Sequence, residues 1–143
     1  MSGAEPIDPV LETVQAWASE PFVWGTSDCA LSVLHHAERV CGRRLEPAPS
    51  YSGERGARRY ALRRGGFQAV FTASVEAIGC TAVAEPARGD IGMIEVPEIG
   101  LTAVLCVAPR SGGQPPRWAA RGDGLVALLA AEPVIAWRVP CRW

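Results

Sequence analysis

Phe22-Val23-Trp24-Gly25-Thr26-Ser27-Asp28-Cys29 runs directly into Ala30-Leu31-Ser32-Val33-Leu34-His35-His36-Ala37-Glu38-Arg39-Val40-Cys41-Gly42. Asp28 is a residue of the N-cap type. After it, apolar side chains at 30, 33, 34, 37, 40 and 41 recur at intervals of three and four, the period of one helix face. Gly42 stands where a left-handed C-terminal glycine belongs. Upstream, Phe22 to Gly25 reads as a short extended stretch following Pro21, with Trp24 expected in the core. An aromatic-glycine segment therefore delivers a cysteine to the first turn of a helix. Free backbone N–H groups and positive potential at that end lower a thiol pKa, as in a cysteine nucleophile.

Outward from this stretch, the first half of the chain reads as helical. Asp8 is a candidate N-cap with Pro9 at the first helical position, and Val10, Leu11, Val14 and Trp17 share one face. Residues 47–56 read as loop. A short basic helix follows through Arg58, Arg59, Tyr60, Leu62, Arg63 and Arg64, ending at Gly65-Gly66, and Phe67, Val70, Phe71, Val75 and Ile78 mark another helix stopped by Gly79. The second half reads as strands at 80–84, 90–96, 101–108, 117–121, 125–130 and 134–139, divided by glycine and proline clusters. Leu101 to Val107 is almost wholly apolar and fits a central strand, and 109–117 fits a hairpin loop. Helices about 8–79 followed by strands about 80–143 predict a single α+β domain spanning 1–143, with helices packed on an antiparallel sheet or small barrel.

The composition narrows the chemistry. The chain has 143 residues, 48% hydrophobic and 20% charged, enough for one domain with a real core. Its 14 basic residues are all arginine, and 15 acids bring the net charge to −1, which speaks against a nucleic-acid partner. No apolar run approaches a membrane span. The acidic start, Met1-Ser-Gly-Ala-Glu-Pro-Ile-Asp8, lacks the apolar segment of a secretion signal, and reduced thiols are expected. Five cysteines at 29, 41, 80, 106 and 141 form no Cys-x-x-Cys pair, so no metal site and no cofactor is expected. Cys80, Cys106 and Cys141 read as structural. The two histidines are adjacent, His35 and His36.

A second motif lies about sixty residues beyond Cys29: Ala87-Arg88-Gly89-Asp90, followed by the strand Ile91-Gly-Met-Ile-Glu-Val96. Together the two motifs resemble the NlpC-type cell-wall cysteine peptidases, which have a compact papain-like fold. In that family an aromatic-Trp-Gly segment precedes Asp-Cys at a helix start, and a Gly-Asp opens the first strand of a small sheet. The matching residues are Trp24, Gly25, Asp28 and Cys29, then Gly89 and Asp90. More narrowly, the chain is similar to a small branch from tailed phages and gene-transfer-agent-like elements. The features that carry this are the Arg-Arg-Tyr segment at 58–60, the Gly-Asp-Gly-Leu turn at 122–125 and the terminal Ala136-Trp-Arg-Val139. The resemblance implies Cys29 as the nucleophile, residence in the virion tail tip, hub or baseplate proteins as partners, and host peptidoglycan as a further one.

The chain departs from that family at one decisive position. There, the strand after the Gly-Asp strand begins with the catalytic histidine, which takes the thiol proton and returns it to the leaving amine. Here that position falls on Leu101 or Thr102, according to a one-residue choice of register. The following strand, where a polar orienting residue usually stands, offers only Arg121. His36 lies on the Cys29 helix, about 10 Å away by helical rise, far beyond the reach of a base. Both histidines are therefore expected at the surface or its boundary. Cys29 is open to two readings: a small buried residue behind Trp24, or a reactive thiolate. Asp28 reads as an N-cap and not a catalytic acid. The arginines at 55, 58, 59, 63 and 64 read as a solvated face or a protein-docking surface. The two Arg-Gly-Asp triplets, 88–90 and 121–123, read as turns at strand ends. Three functions follow. The first is a tail-tip structural component with a peptidase fold that lacks its catalytic base. The second is an active cysteine hydrolase cutting peptidoglycan stem peptides during entry, and the third is a tail assembly factor.

Overall fold

The computed structural model describes residues 8–140 of the chain. Asp8 caps the first helix, α1 (Pro9–Ser19), accepting from the Val10 and Leu11 amides. Asp28 caps α2 (Cys29–Cys41), and Gly42 ends it in the left-handed conformation at φ 71°. These two helices fall where cap chemistry and apolar spacing place them. α3 (Gly53–Leu62) starts inside the stretch expected to be loop. Glu54 in its first turn pairs with Arg58 one turn later at 2.9 Å, so side-chain pairing favours helix despite a composition that suggests loop. α3 buries no side chain completely. α4 (Phe67–Ala77) follows and places Phe71 and Val75 in the core.

Six strands complete the fold: β1 (Thr81–Ala82), β2 (Ile91–Val96), β3 (Gly100–Ala108), β4 (Arg117–Gly122), β5 (Leu125–Ala130) and β6 (Ile135–Arg138). They form one antiparallel sheet in the order β1-β6-β2-β3-β4-β5, with β1 and β5 at its edges. The architecture is α+β, with helices first and strands after. The two outer expectations contract: 80–84 yields two paired residues, and 134–139 yields four.

β3 lies inside the sheet, and its alternation feeds two cores. Ala103 and Leu105 face the helices, packing with Val33, Ala37, Phe71 and Trp137. Val104 and Cys106 face the other way, against Ile94, Trp118 and Ala136. Apolar residues on both faces explain why Leu101–Val107 reads as a continuous hydrophobic run. α2 packs across β3 and β4. Cys41, Cys80 and Cys106 are buried, as expected of structural cysteines. Burial pushes Cys80 up to about 12 and Cys106 up to about 11. Cys141 falls outside the described residues.

The two Arg-Gly-Asp triplets both sit at strand ends, and each buries a charge. Asp90 accepts from the Ala87 amide at 2.7 Å and from Arg138 at 3.0 Å, tying the turn before β2 to the end of β6. Arg121 is 3% exposed and reaches across to the end of α1. The Gly-Asp motif and the terminal Ala-Trp-Arg-Val motif, 48 residues apart at Asp90 and Arg138, are thus one structural joint.

Candidate functional site

Phe22 and Val23 belong to no regular element and a turn occupies 24–27, so the expected extended stretch does not carry through to Gly25. The Thr26 and Ser27 amides both donate to the Val23 carbonyl, at 3.0 and 2.8 Å. The Ser27 hydroxyl accepts from the Val23 amide and donates to the Pro21 carbonyl at 2.6 Å. Gly25 adopts φ 85°, and a Cβ there would lie 2.0 Å from the Tyr51 carbonyl oxygen. Glycine is therefore required twice over, for its backbone conformation and for the close approach of the 47–52 segment. Trp24 is half-buried and stacks edge-on against Phe22 at 5.2 Å. It walls a groove and does not belong to the core, because the turn swings it outward.

Asp28 is the hub of this segment. It is 1% exposed. One carboxylate oxygen accepts from the Leu31 amide at 2.9 Å, the expected N-cap bond. The other accepts from the Gly25 amide at 2.9 Å and from the Tyr51 hydroxyl at 2.5 Å. Three donors converge on one buried carboxylate, which explains why it tolerates burial. Tyr51 was not singled out by the sequence, where it reads as one residue in a proline- and serine-rich loop. Its only signal there is an aromatic side chain in an otherwise polar stretch. Burial and the Asp28 carboxylate push its hydroxyl well above the ordinary tyrosine range, so it remains a donor.

Cys29 follows, half-buried, and opens onto a groove of about 390 Å³. Trp24, Tyr51 and Tyr60 form one part of its wall, and Phe67, Phe71 and Leu101 another. The thiol is neither sealed behind Trp24 nor activated. Burial pushes its pKa up, and the adjacent Asp28 charge pushes it further, while the amides of Cys29 and Ala30 pull only weakly the other way. The helix-end effect that motivates a reactive thiolate is present but loses to desolvation and a neighbouring anion.

Leu101 and Thr102 point to opposite faces of the sheet. Leu101 pairs with Glu95 and packs toward the helix-side core and the groove. Thr102 pairs with Ile94, whose side chain lies in the core on the opposite face. Its hydroxyl donates to the Gly100 carbonyl at 3.1 Å. Of the two, it is Leu101 that lines the groove, and its side chain has no proton to exchange. Among the described residues of the groove wall, Glu54 and Arg58 pair with each other, and Asp28 is fully engaged.

Neither histidine lines the groove. His35 is exposed, but His36 is 2% exposed, so the expectation of a surface or boundary residue fails for it. Its Nδ1 lies 2.7 Å from the Thr13 hydroxyl of α1. The same hydroxyl accepts from Arg39, so His36, Thr13 and Arg39 form one chain of contacts. Burial, then the Arg39 charge, pull His36 down to about 4, leaving a neutral ring that joins α1 to α2. Gly89 and Asp90 likewise lie away from the groove wall and serve the β2 joint. Arg121 does not orient a base; its guanidinium donates to the carbonyls of Glu20 and Pro21.

The family described as Domain of unknown function (DUF6950) matches residues 8–139. The chain belongs to the DUF6950 family. The DUF6950 span begins at the Asp8 cap and ends just past β6, so it contains the whole sheet, the Asp28 hub and the groove. No curated protein and no solved structure matches the chain. Among the described residues no cluster of three metal-ligating side chains occurs, and no helix is long and apolar enough to cross a membrane.

Proposed function

We propose that this DUF6950 domain is a papain-like fold of the NlpC type that has lost its catalytic base and acts as a binding and structural component at the tail tip of a tailed phage or gene-transfer-agent-like particle. Hub or baseplate proteins would be its partners, with host peptidoglycan as a further ligand of the groove. The observation that carries this reading is Leu101. It stands on the groove wall shared with Cys29, at the strand position where the resembling enzymes hold histidine. A leucine there makes the groove more apolar and removes the general base that acyl transfer needs. The raised Cys29 pKa agrees, since an unassisted thiol is a poor nucleophile at neutral pH.

Two measurements test the reading. Particles carrying Cys29→Ala are expected to assemble and infect as the parent does, and to digest cell wall no less. In the isolated domain, alkylation of Cys29 is expected to be slow near neutral pH and to rise only in alkaline buffer. Leu101→His is expected to accelerate it by roughly tenfold or more at neutral pH by supplying a base. Loss of cell-wall cleavage in the Cys29→Ala particle would favour the competing reading, an active cysteine hydrolase whose base comes from a neighbouring chain. Absence of the protein from purified particles that need it to form would instead indicate an assembly factor.

A further inference from the structure

A second cavity, of about 170 Å³, opens on another side of α2, lined by Thr13 and Glu20 of the α1 region, Ser32, His36 and Arg39 of α2, and Arg121 of β4. Its floor holds an unusual charge. The Arg121 side chain is 2% exposed, yet its nearest carboxylate oxygen, on Glu20, is 3.9 Å away on a side chain that is 60% exposed. Nη2 is well used, donating to the Glu20 and Pro21 carbonyls at 2.6 and 2.9 Å. Nη1 makes only a 3.4 Å contact with the Ser32 hydroxyl, and Nε has no partner.

A buried guanidinium without a closed ion pair is costly, and arginine recognises oxyanions through paired N–H donors. Arg39 lines the same cavity and adds a second positive charge, only partly met by Glu12 at 3.3 Å. The Ser32 hydroxyl donates to the Ser27 carbonyl at 3.1 Å and adds no charge to the cavity. Neither Asp28 nor Glu38, the acids near the two ends of α2, is on this wall: Asp28 faces Tyr51 and Gly25, and Glu38 accepts from the Leu45 amide.

We propose that this cavity is a binding site for a small oxyanion, a carboxylate or a phosphate group, held between Arg121 and Arg39, with Glu20 at the rim as the internal competitor. The site is separate from the Cys29 groove and independent of whether that groove is catalytic. A carboxylate would come from a peptide side chain or terminus and a phosphate from a phosphorylated metabolite or polymer; both present the same oxygen edge to arginine.

The test uses the intact chain, with NMR signals of the Arg121 and Arg39 side chains and of His36 followed during titration with sodium phosphate and, separately, sodium acetate, at constant ionic strength. Saturable shifts of Arg121 and His36 are expected with at least one anion, and the stronger of the two identifies the source. Glu20→Gln is expected to tighten binding about threefold by removing the competing charge, and Arg39→Gln to weaken it roughly tenfold, the loss of one charge-assisted contact. Both changes lie at the rim, so they remain informative if Arg121→Gln fails to fold. Shifts that never saturate, or that are the same in Glu20→Gln and Arg39→Gln as in the parent, would overturn the proposal.

Discussion

Cys29 and His36 stand seven residues apart on α2, and each borders a different cavity. On the groove side, Cys29 sits at the helix N-terminus beside a buried carboxylate, facing a wall that contains Leu101. On the other side, His36 is bonded to Thr13 and set among Arg39 and Arg121. Among the described residues, no histidine lines the Cys29 groove and no cysteine lines the His36 cavity. The difference lies in what holds each group. The groove side keeps a ligand-sized space open, whereas the histidine side uses its imidazole as a strut between helices. The segment before Cys29 also builds the fold: Asp28 caps α2 and pins Tyr51 whether or not Cys29 reacts.

The largest effect is therefore expected from breaking the groove side at Asp28. Asp28→Ala leaves the Gly25 and Leu31 amides and the Tyr51 hydroxyl without their acceptor in a closed space. At about 1–3 kcal/mol for each buried donor left unpaired, offset by partial access of water, the loss should be about 4 kcal/mol in denaturant unfolding. Asp28→Asn, with one acceptor oxygen remaining, should fall between parent and alanine variant. Equal stability of all three proteins would mean that the carboxylate is not the organising group of the motif.

The histidine side should reveal itself through pH. His36 is held at about 4 in the folded chain against an ordinary value near 6.5. The unfolded chain therefore binds a proton between those values that the folded chain refuses. Its contribution to stability is complete above about pH 6.5 and is lost as pH falls toward 4. At 1.36 kcal/mol per pH unit this amounts to about 3 kcal/mol. His36→Phe should flatten that part of the stability profile while leaving the decline below pH 4, where carboxylates titrate. A parent protein as stable at pH 4.5 as at 7 would contradict the buried, neutral ring.

The helical and strand content was largely legible in the sequence because its signals are local. Asp8-Pro9, Asp28 and Gly42 mark helix ends through their own backbone preferences, and β3 announces its two buried faces by an unbroken apolar run. Two misreadings come from local bonds that composition hides: Glu54 pairs with Arg58 to start α3 early, and Ser27 ties Pro21 and Val23 into the turn at 24–27. His36 looks like a boundary residue on its helix, and only the packing of α1 buries it. The sequence shows that no histidine follows the Cys29 helix, while which of Leu101 and Thr102 faces the groove needed the pairing of β2 with β3. Nothing in the local pattern could show that Asp90 and Arg138 meet.

Tyr51 is the sharpest case of a long-range element and the subject of the smallest expected change. Its hydroxyl is one of three donors on Asp28, and its ring packs against Tyr60 at 5.4 Å. Tyr51→Phe keeps the ring and the groove wall and removes one charge-assisted bond, so about 2 kcal/mol should be lost. The loss should depend on its partner: in an Asp28→Ala background the same change should cost less than about 0.5 kcal/mol, since the hydroxyl then has no carboxylate to serve. Additivity of the two changes would separate Tyr51 from the motif and leave the cap as a purely helical device. Coupling would make the loop before α3 part of the same unit as Gly25 and Asp28, a unit whose task is to hold the mouth of the groove in shape. The thiol next to it should report the same link. Tyr51→Phe leaves the Asp28 charge with one fewer donor to disperse it, and so should slow Cys29 alkylation further at neutral pH.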